Sequence, residues 1–271
     1  MKERVPIKDR FKGKVAIVTG GSFGIGRAVV EELCKEGAAV GFSGIEAAGD
    51  GVAAELQANG YDVLFFQGDM ADDTFCRKIV TETVARWGVI HYLVNNAFSF
   101  IAKGLTATAD DWERALQVGP VAFARMAQYA VEHMKQQGGA IVNLSSISAF
   151  IAQPDRWTYN AAKGAVHTLT KCMALDLAPF GIRVNSVSPG WIWTREVDKG
   201  AEGDRSKWEP VWGQFHMLER CGNPIECAGP ILFLLSDDAS FITAADLAID
   251  GGYRGLGSEG LGKASKFAGS N

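Results

Sequence analysis

The sequence predicts an α/β fold, a mostly parallel sheet covered by helices on both faces. Short β-branched or apolar runs alternate regularly with segments whose apolar residues recur at helical spacing, which is typical of parallel sheets. A glycine-rich turn, residues 19–26, follows the first apolar run. With 271 residues, of which 47% are hydrophobic, the chain has ample apolar material for one buried core. We therefore expect a single domain over residues 1–253.

The predicted elements follow one another in order along the chain. Residues 14–19, Lys-Val-Ala-Ile-Val-Thr, form a β-branched run that ends in glycine, which predicts a fully buried strand. In the next segment Ile25, Val29 and Leu33 share one helical face, and Gly37 marks the helix end. The same two patterns then recur, and they predict strands at 38–43, 63–67, 90–95, 140–145, 183–188 and 246–250, and helices at 24–36, 51–59, 74–87, 112–136, 158–177 and 225–236.

Two stretches have no clear secondary-structure pattern. Residues 194–215 are the longest of these inside the domain, and such stretches are often functional. Residues 254–271 are rich in glycine, serine and lysine. We expect them to form a C-terminal tail that is partly disordered unless a neighbouring subunit orders it.

Composition argues against several classes of protein. The net charge is −4, and charges of both signs are scattered without a basic patch, so we expect no nucleic-acid binding. No apolar run approaches the length of a membrane span, and residues 1–11 are too polar for a secretory signal. The five cysteines form no Cys-x-x-Cys pair, which favours reduced thiols and a cytoplasmic location. The four histidines are widely dispersed, so we expect no metal site.

Tyr159 and Lys163 carry the strongest chemical signal. They lie four residues apart in Tyr-Asn-Ala-Ala-Lys, so they share one face of the predicted helix. A free tyrosine has a pKa of about 10, and a neighbouring ammonium favours its phenolate form. Tyr159 is then able to take a proton from an alcohol or to give one to a carbonyl.

The glycine-rich turn predicts a phosphate site. Gly20, Gly24 and Gly26 lie between the first strand and its helix, where glycine lets backbone N–H groups approach a pyrophosphate closely. The positive end of the helix dipole adds to this attraction. A plain strand-to-helix turn is the alternative, because a glycine-rich motif is a weak signal by itself.

The spacing Gly-x-x-x-Gly-x-Gly, together with Tyr159-x-x-x-Lys163, resembles the classical short-chain dehydrogenases/reductases. Further motifs of that family stand in the same order, at residues 95–97, 142–146, 183–190 and 250–252. The resemblance extends from about residue 14 to residue 253. It implies a seven-stranded, doubly wound Rossmann-type sheet, NAD(H) or NADP(H) as cofactor, and a homo-oligomer, commonly a tetramer. The implied reaction interconverts a secondary alcohol and a ketone by hydride transfer.

The resemblance also assigns roles to individual residues. Ser146, thirteen residues before Tyr159, would donate a hydrogen bond to the substrate oxygen, and Lys163 would bind the nicotinamide ribose. The other expected cofactor contacts are Gly20, Ser22, Phe23, Gly24, Ile25 and Gly26 at the phosphates, Asp69 and Met70 at the adenine, Asn96 with Ala97 at the adenosine ribose, and Pro189, Gly190, Ile192 and Thr194 toward the nicotinamide. Two alternatives stay open, namely that Asp69 caps the following helix and that Thr194 only ends a strand.

The sequence departs from the family pattern at two positions near this site. The family carries an Asn seven residues after a Trp, where it holds a water that links the lysine to solvent. Here Trp112 is followed at that distance by Gly119 and then by Pro120, which removes a backbone donor and can kink the helix. Phe98 stands where the family has Gly, and it either narrows the substrate cleft or simply packs. We favour an active enzyme in which extra waters fill the space. The alternative is a catalytically impaired dinucleotide-binding protein, a sensor or scaffold.

The end of the second strand bears on cofactor choice. An acidic residue there binds the ribose 2′-hydroxyl and selects NAD, but this position is Gly44. Ile45 and Phe23 stand where a basic residue would favour NADP. Because no cation is placed for a 2′-phosphate, we favour NAD(H). Glu46 either supplies the missing acid or is a solvated surface charge.

Tryptophans mark the expected substrate side, on or beside the 194–215 loop and just before Tyr159. Aromatic faces suit sugar rings and other cyclic groups, although these residues equally well anchor the loop or contact a second subunit. The expected substrate contacts are Phe98, Gln153, Trp157 and Trp191. We expect a secondary alcohol or its ketone, on a sugar, polyol or cyclic compound. Epimerisation with recycling of the bound cofactor is a third hypothesis.

Overall fold

The structure, a computed structural model, describes residues 4–257 and 260. It is built on a sheet of seven parallel strands, which confirms the predicted α/β fold class. The strands are β1 Val15–Val18, β2 Ala39–Gly44, β3 Val63–Gln67, β4 Tyr92–Asn95, β5 Gly139–Leu144, β6 Ile182–Pro189 and β7 Asp246–Ile249. Their spatial order is β3-β2-β1-β4-β5-β6-β7, so the direction of winding reverses between β1 and β4. Ligands of such sheets bind at the carboxyl ends of the strands beside this reversal.

Helices lie on both faces of the sheet. They are α1 Gly24–Lys35, α2 Ala48–Ala58, α3 Asp73–Trp87, α4 Ala109–Leu116, α5 Ala122–Val131, α6 Trp157–Leu177, α7 Arg195–Gly200, α8 Arg205–Gly213 and α9 Pro224–Leu235. No helix within the described residues is long and apolar enough to cross a membrane.

Separate hydrophobic clusters cover the two faces. Along β1, Ala16 and Val18 pack with apolar residues of α1, α2 and α9, whereas Ile17 packs with residues of α3, α5 and α6. This alternation follows from the pleat of the strand, and burial on both faces explains why the strands read as continuous apolar runs. Leu33 in the first cluster and Ile79 in the second are fully buried. Each such side chain stabilises the fold by roughly 1.5–3 kcal/mol.

The prediction of one long helix over residues 112–136 is wrong. The chain forms α4 and α5, which are joined by a wide turn at Gln117–Val121. Pro120 has no N–H to donate, and Gly119 adopts the non-helical dihedral angles φ −97° and ψ −113°. The apolar periodicity continues through the break, so the pattern alone did not reveal it. The turn brings Gly119 into the buried part of the molecule.

The stretch 194–215 is more regular than its sequence pattern indicates, because it contains α7 and α8. The Asp204 carboxylate caps α8 by accepting a hydrogen bond from the Lys207 backbone N–H at 3.0 Å. Both helices are short and rich in charged residues, and α8 also carries two tryptophans, so neither shows an apolar stripe in the sequence. Most of the predicted C-terminal tail, residues 258–259 and 261–271, lies outside the described residues.

Candidate active site

A cavity of about 510 Å³ opens where β1, β4, β5 and β6 end. Ser146, Tyr159 and Lys163 all line it. The other predicted site residues on its wall are Gly20, Phe23, Gly24, Ile25, Asn96, Ala97, Phe98, Gln153, Pro189, Gly190, Trp191, Ile192 and Thr194. Ser22, Asp69 and Met70 line an adjoining cavity of about 210 Å³, here called the β2-side cavity.

Two predicted contacts are placed elsewhere. Gly26 lines neither cavity, and a Cβ added to it would overlap the carbonyl oxygen of Gly20. Glycine is therefore required at this position because α1 packs tightly against its own turn. Trp157 is 53% exposed and also lies outside both cavities, although sequence reasoning placed it at the substrate.

Lys163 is held in the cavity wall by two neighbours. Its side chain is buried, and its ammonium nitrogen donates a hydrogen bond to the Leu144 carbonyl at the end of β5, at 2.8 Å. The same nitrogen lies 4.0 Å from the centroid of the Phe98 ring. Burial lowers the pKa of Lys163 to about 7. A hydrogen bond to one carbonyl leaves two of the three ammonium N–H groups available for further partners.

Tyr159 lies one helical turn before Lys163 on α6. The Phe98 and Phe100 rings meet it edge to face, with centroid distances of 5.3 and 4.9 Å. Burial raises the pKa of the Tyr159 phenol, and the Ser146 hydroxyl and the Arg156 guanidinium act against that rise. Proton exchange at this phenol is therefore governed by what enters the cavity and by these polar neighbours.

The hydrogen bonds of the three neighbouring serines separate their roles. Ser146 Oγ accepts from the Ser148 backbone N–H at 3.1 Å, which leaves its own proton free to be donated. Ser145 Oγ donates to the Lys163 carbonyl at 3.2 Å, and Ser148 Oγ donates to Gln153 Oε1 at 2.5 Å. Of the three, Ser146 is the hydroxyl that faces the cavity and the Tyr159 phenol, with which it shares a hydrogen bond that favours the phenolate.

The two departures from the family pattern meet in space. A Cβ placed on Gly119 would lie 2.6 Å from Cε2 of Phe98. The Phe98 ring therefore fills the space that a side chain at position 119 would enter. It does more than narrow the substrate cleft, because its face also lies against the Lys163 ammonium.

Two buried amides, which the sequence placed in family motifs without assigning them a role, connect the strands beneath the site. Asn95 Nδ2 donates to Asn143 Oδ1 at 2.9 Å, and Asn143 Nδ2 donates to Thr170 Oγ1 of α6 at 3.0 Å. All three residues are buried. Leaving these buried amide N–H groups unpaired would be unfavourable, so the two hydrogen bonds fix α6 relative to β4 and β5. The signal in the sequence was an amide near the end of each of two apolar strands.

Asn96 clamps the glycine-rich turn. Its side-chain N–H groups donate to the carbonyls of Thr19 and Gly20, both at 2.9 Å. The sequence assigned Asn96 to the adenosine ribose, but its amide nitrogen is used within the protein. Its role in this structure is to join the end of β4 to the turn after β1.

The β2-side cavity pairs acids with arginines. Asp69 accepts hydrogen bonds from Arg114 at 2.6 Å and from the Ala71 backbone N–H at 2.9 Å. Burial would raise the pKa of Asp69, but these two hydrogen bonds outweigh it and hold the pKa below its usual range. The helix α3 is capped by Asp72, which accepts from the Thr74 backbone N–H. The alternative that Asp69 caps this helix is therefore wrong.

Arg195 lines both the larger cavity and the β2-side cavity. Its guanidinium makes two hydrogen bonds to Glu46, at 3.0 and 2.6 Å, and lies 4.1 Å from the Phe23 ring centroid. The sequence-based expectation that no cation reaches this region is wrong, because Arg195 and Arg114 both line the cavity. Glu46 is accordingly an ion-paired group rather than an isolated surface charge. Arg195 was missed because it lies about 150 residues after Glu46 in the chain.

Four of the seven tryptophans form one aromatic cluster. Trp212 of α8 lies between Trp191 and Trp208, with ring centroids 5.0 and 5.2 Å away, and Trp193 packs beside it at 5.7 Å. Trp191 and Trp212 also line the larger cavity. The cluster therefore anchors the segment that carries α7 and α8, while two of its rings face the cavity.

A family model described as enoyl-(acyl carrier protein) reductase matches residues 20–254. The chain belongs to the short-chain dehydrogenase/reductase family. It is 37% identical over 245 residues to an uncharacterized oxidoreductase of Thermotoga maritima, covering 89% of this chain and 96% of that one. It is 36% identical over 253 residues to the NADP-dependent (R)-specific alcohol dehydrogenase of Lentilactobacillus kefiri, covering 90% and 98%. The solved ligand-free structure of Thermoplasma acidophilum aldohexose dehydrogenase matches with a TM-score of 0.84 and 32% identity, covering 93% of this chain and 98% of that one.

This short-chain dehydrogenase/reductase is thus an oxidoreductase that acts on CH–OH groups, in a family that binds NAD(P)(H). Two features of the cavities fit a dinucleotide. No side chain caps α1, so the N–H groups of its first turn stay available beside Phe23, Gly24 and Ile25 on the cavity wall. Ser22 Oγ is buried at the β2-side cavity with no hydrogen-bond partner among the described residues. A pyrophosphate and a ribose hydroxyl would satisfy these groups.

Proposed function

We propose that the protein interconverts a secondary alcohol and a ketone, using NAD(P)(H), with Ser146, Tyr159 and Lys163 at the reacting centre. One observation carries this proposal. The uncapped start of α1 and the three side chains lie on the wall of the same cavity. Backbone N–H groups that can bind phosphates and a proton-transfer group are thereby brought within one cleft, as a dinucleotide-dependent dehydrogenase requires.

Each residue has a defined task in this proposal. When bound, the nicotinamide cofactor supplies or accepts the hydride. Tyr159 gives its phenolic proton to the carbonyl oxygen during reduction, or takes the proton of the alcohol during oxidation. Ser146 donates a hydrogen bond to the same oxygen, where negative charge changes most. The Lys163 ammonium binds the nicotinamide ribose with its uncommitted N–H groups and favours the phenolate of Tyr159.

The relatives support an alcohol or sugar as substrate. Their names include a cyclopentanol dehydrogenase from Comamonas and the aldohexose dehydrogenase of Thermoplasma acidophilum. The aromatic wall made by Phe98, Phe100, Trp191 and Trp212 suits the apolar face of such a compound. As to cofactor, the Glu46 carboxylate at the β2-side cavity disfavours an added 2′-phosphate, so we propose NAD(H).

We favour an active enzyme over an impaired scaffold. The space that a side chain at position 119 would occupy is filled by the Phe98 ring, which itself contacts Lys163. Lys163 therefore has a replacement partner rather than a missing one. We also propose that residues 1–253 form a single domain, that the chain assembles as a homotetramer, and that it works in the cytoplasm, where its five free thiols would stay reduced.

The proposal is tested first by titrating the protein with NADH and NADPH while nicotinamide fluorescence is followed. Tight binding of at least one is expected. Tyr159→Phe should then lower kcat by about 100-fold or more with the cofactor affinity retained. Tyr129→Phe is the matched control, because the Tyr129 hydroxyl bonds to Asp73 on the outer helices and not to the cavity. Full turnover in Tyr159→Phe would refute the role of the phenol.

A further inference from the structure

We propose that the substrate carries a carboxylate beside its alcohol or ketone, and that Arg156 with Gln153 binds it. The inference rests on the proposed function and names the class of compound that the cavity selects. Reduction would add hydride from the reduced cofactor to the ketone carbon and the Tyr159 proton to its oxygen. The product is a hydroxy acid and the oxidised cofactor, and the carboxylate takes no part in the chemistry.

Arg156 is positioned by two aromatic rings at the substrate side of the cavity. It precedes α6 and lies three residues before Tyr159. Its guanidinium carbon is 5.7 Å from the Phe100 ring centroid and 5.4 Å from that of Trp191. Stacking on aromatic faces restrains a guanidinium while leaving its N–H groups at the edge free to donate. The side chain is half-buried and lines the cavity.

Arg156 has no acidic partner within residues 4–257. The other charged groups on the cavity wall are Lys163, Arg195 and Glu196. Arg195 is paired with Glu46, and Glu196 lies 3.0 Å from Lys199. Lys163 also has no acidic partner among the described residues, but it donates to the Leu144 carbonyl and is assigned to the cofactor ribose. The half-buried Arg156 guanidinium is therefore the positive charge that remains for a ligand on the substrate side.

Gln153 adds a second donor on the same wall. Its Oε1 accepts the hydrogen bond from Ser148 Oγ at 2.5 Å. The acceptor of this amide is therefore engaged, while its N–H groups have no partner among the described residues. The uncommitted polar groups near Arg156 are thus donors. A carboxylate offers only acceptors and pairs with a guanidinium through two hydrogen bonds, whereas a hydroxyl would leave the charge unpaired.

The cofactor phosphates do not account for Arg156. The glycine-rich turn and the start of α1, where the pyrophosphate is expected, contribute Phe23 and Gly24 to the cavity wall. The ring contacts of Arg156 are instead with Phe100 and Trp191, and it acts electrostatically on Tyr159. The guanidinium consequently belongs to the substrate side.

Matched acid and ester pairs test the proposal. Reduction of 3-oxobutanoate and 4-oxopentanoate is compared with reduction of their methyl esters, using the wild-type protein, Arg156→Gln and Arg77→Gln. Arg77 is the control because it also stacks on a ring, that of Tyr129 at 4.5 Å, but lies on α3 outside the cavity. The wild type and the control should prefer at least one acid by about 10- to 100-fold in kcat/KM, as expected for a charged hydrogen bond. Arg156→Gln should lose that preference mainly through KM while retaining NADH affinity.

Binding measured without turnover separates this proposal from the proposed function. Butanoate and butanamide are titrated against the NADH complex while tryptophan fluorescence is followed. Selective binding of butanoate, lost in Arg156→Gln, supports the carboxylate site even if no ketone is reduced. The proposal is overturned if esters react as well as acids in the wild type. It is also overturned if the acid preference survives in Arg156→Gln, or if butanoate and butanamide bind alike.

Discussion

The Phe98 ring occupies the volume next to Gly119 and at the same time covers the Lys163 ammonium. A Cβ on Gly119 would lie 2.6 Å from Phe98 Cε2, and Lys163 Nζ lies 4.0 Å from the ring centroid. The two departures from the family pattern therefore form one coupled change. A ring contributed by the segment after β4 takes the place of a side chain from the helical turn between α4 and α5. A side chain at position 119 is therefore not compatible with Phe98 in its present place.

Restoring the family Asn by itself should lower activity. In Gly119→Asn the new side chain meets the Phe98 ring, which must then move off Lys163 at a cost of about 1–3 kcal/mol in the free energy of unfolding. Adding Phe98→Gly removes the clash, so the double variant should recover stability and kcat relative to Gly119→Asn. Denaturant unfolding and steady-state kinetics on the wild type, Gly119→Asn, Phe98→Gly and the double variant give the coupling. A rise in kcat with Gly119→Asn alone would show instead that the native relay is broken.

Phe98 should also set the pH at which cofactor binding weakens. Burial holds the pKa of Lys163 at about 7, and the ring face favours its charged form. Phe98→Leu keeps an apolar side chain but removes that face, so the pKa of Lys163 should fall by about 0.5–1 pH unit. Because binding needs the ammonium, NADH affinity should be lost at lower pH in this variant.

NADH titrations between about pH 5.5 and 9 measure this shift. This range lies on both sides of the Lys163 pKa of about 7. Phe100→Leu is the control, since Phe100 contacts Tyr159 but has no ammonium contact with Lys163. The other charged or titratable groups on the cavity wall are Tyr159, Arg156, Arg195 and Glu196, and they are the same in both variants. Equal midpoints in the two variants would assign Phe98 a packing role only.

Much of the fold was predictable because its central strands are buried on both faces and its helices on one. The run at 140–145 matches β5 closely, since nearly all of that strand is buried, and the run at 63–67 matches β3, an edge strand that is partly buried. The break at Gly119 was not predictable by periodicity, because the apolar positions continue through it. Pro120 was the local signal that pointed to it.

The contacts of the site likewise include some that the sequence predicts and some that it does not. Ser146, Tyr159 and Lys163 line one cavity, because two of them share a helix face and the third follows the end of β5 by two residues. The roles of these residues stay predictions until they are tested. The Phe98–Gly119 contact and the Arg195–Glu46 pair join residues that are far apart in the chain. Such contacts depend on the packing of whole elements, which no local pattern encodes.

The Arg195–Glu46 pair should control cofactor preference. Glu46 places a negative charge at the β2-side cavity and engages the guanidinium of Arg195. Glu46→Gln removes the charge and frees Arg195 to meet a 2′-phosphate, so the ratio of NADPH to NADH affinity should rise by roughly five- to tenfold. Fluorescence titration with both cofactors measures the ratio. Glu55→Gln, at an exposed ion pair with Arg27, controls for the change in net charge. An unchanged ratio in Glu46→Gln would place the adenosine ribose away from this pair.

Lys163 should cost stability in the free protein, and the cost should depend on pH. Its folded pKa of about 7 lies below the ordinary lysine value of 10.5, so between these values the unfolded chain binds more protons and wild-type stability rises with pH. Lys163→Met removes the buried charge, so it should raise the melting temperature more at pH 6 than at pH 9, while abolishing turnover. Lys171→Met, at an exposed position of the same helix, should change the melting temperature little at either pH. A gain of equal size at both pH values would mean that Lys163 is not desolvated in the free protein, and that its ammonium is instead stabilised by water reaching the cavity wall.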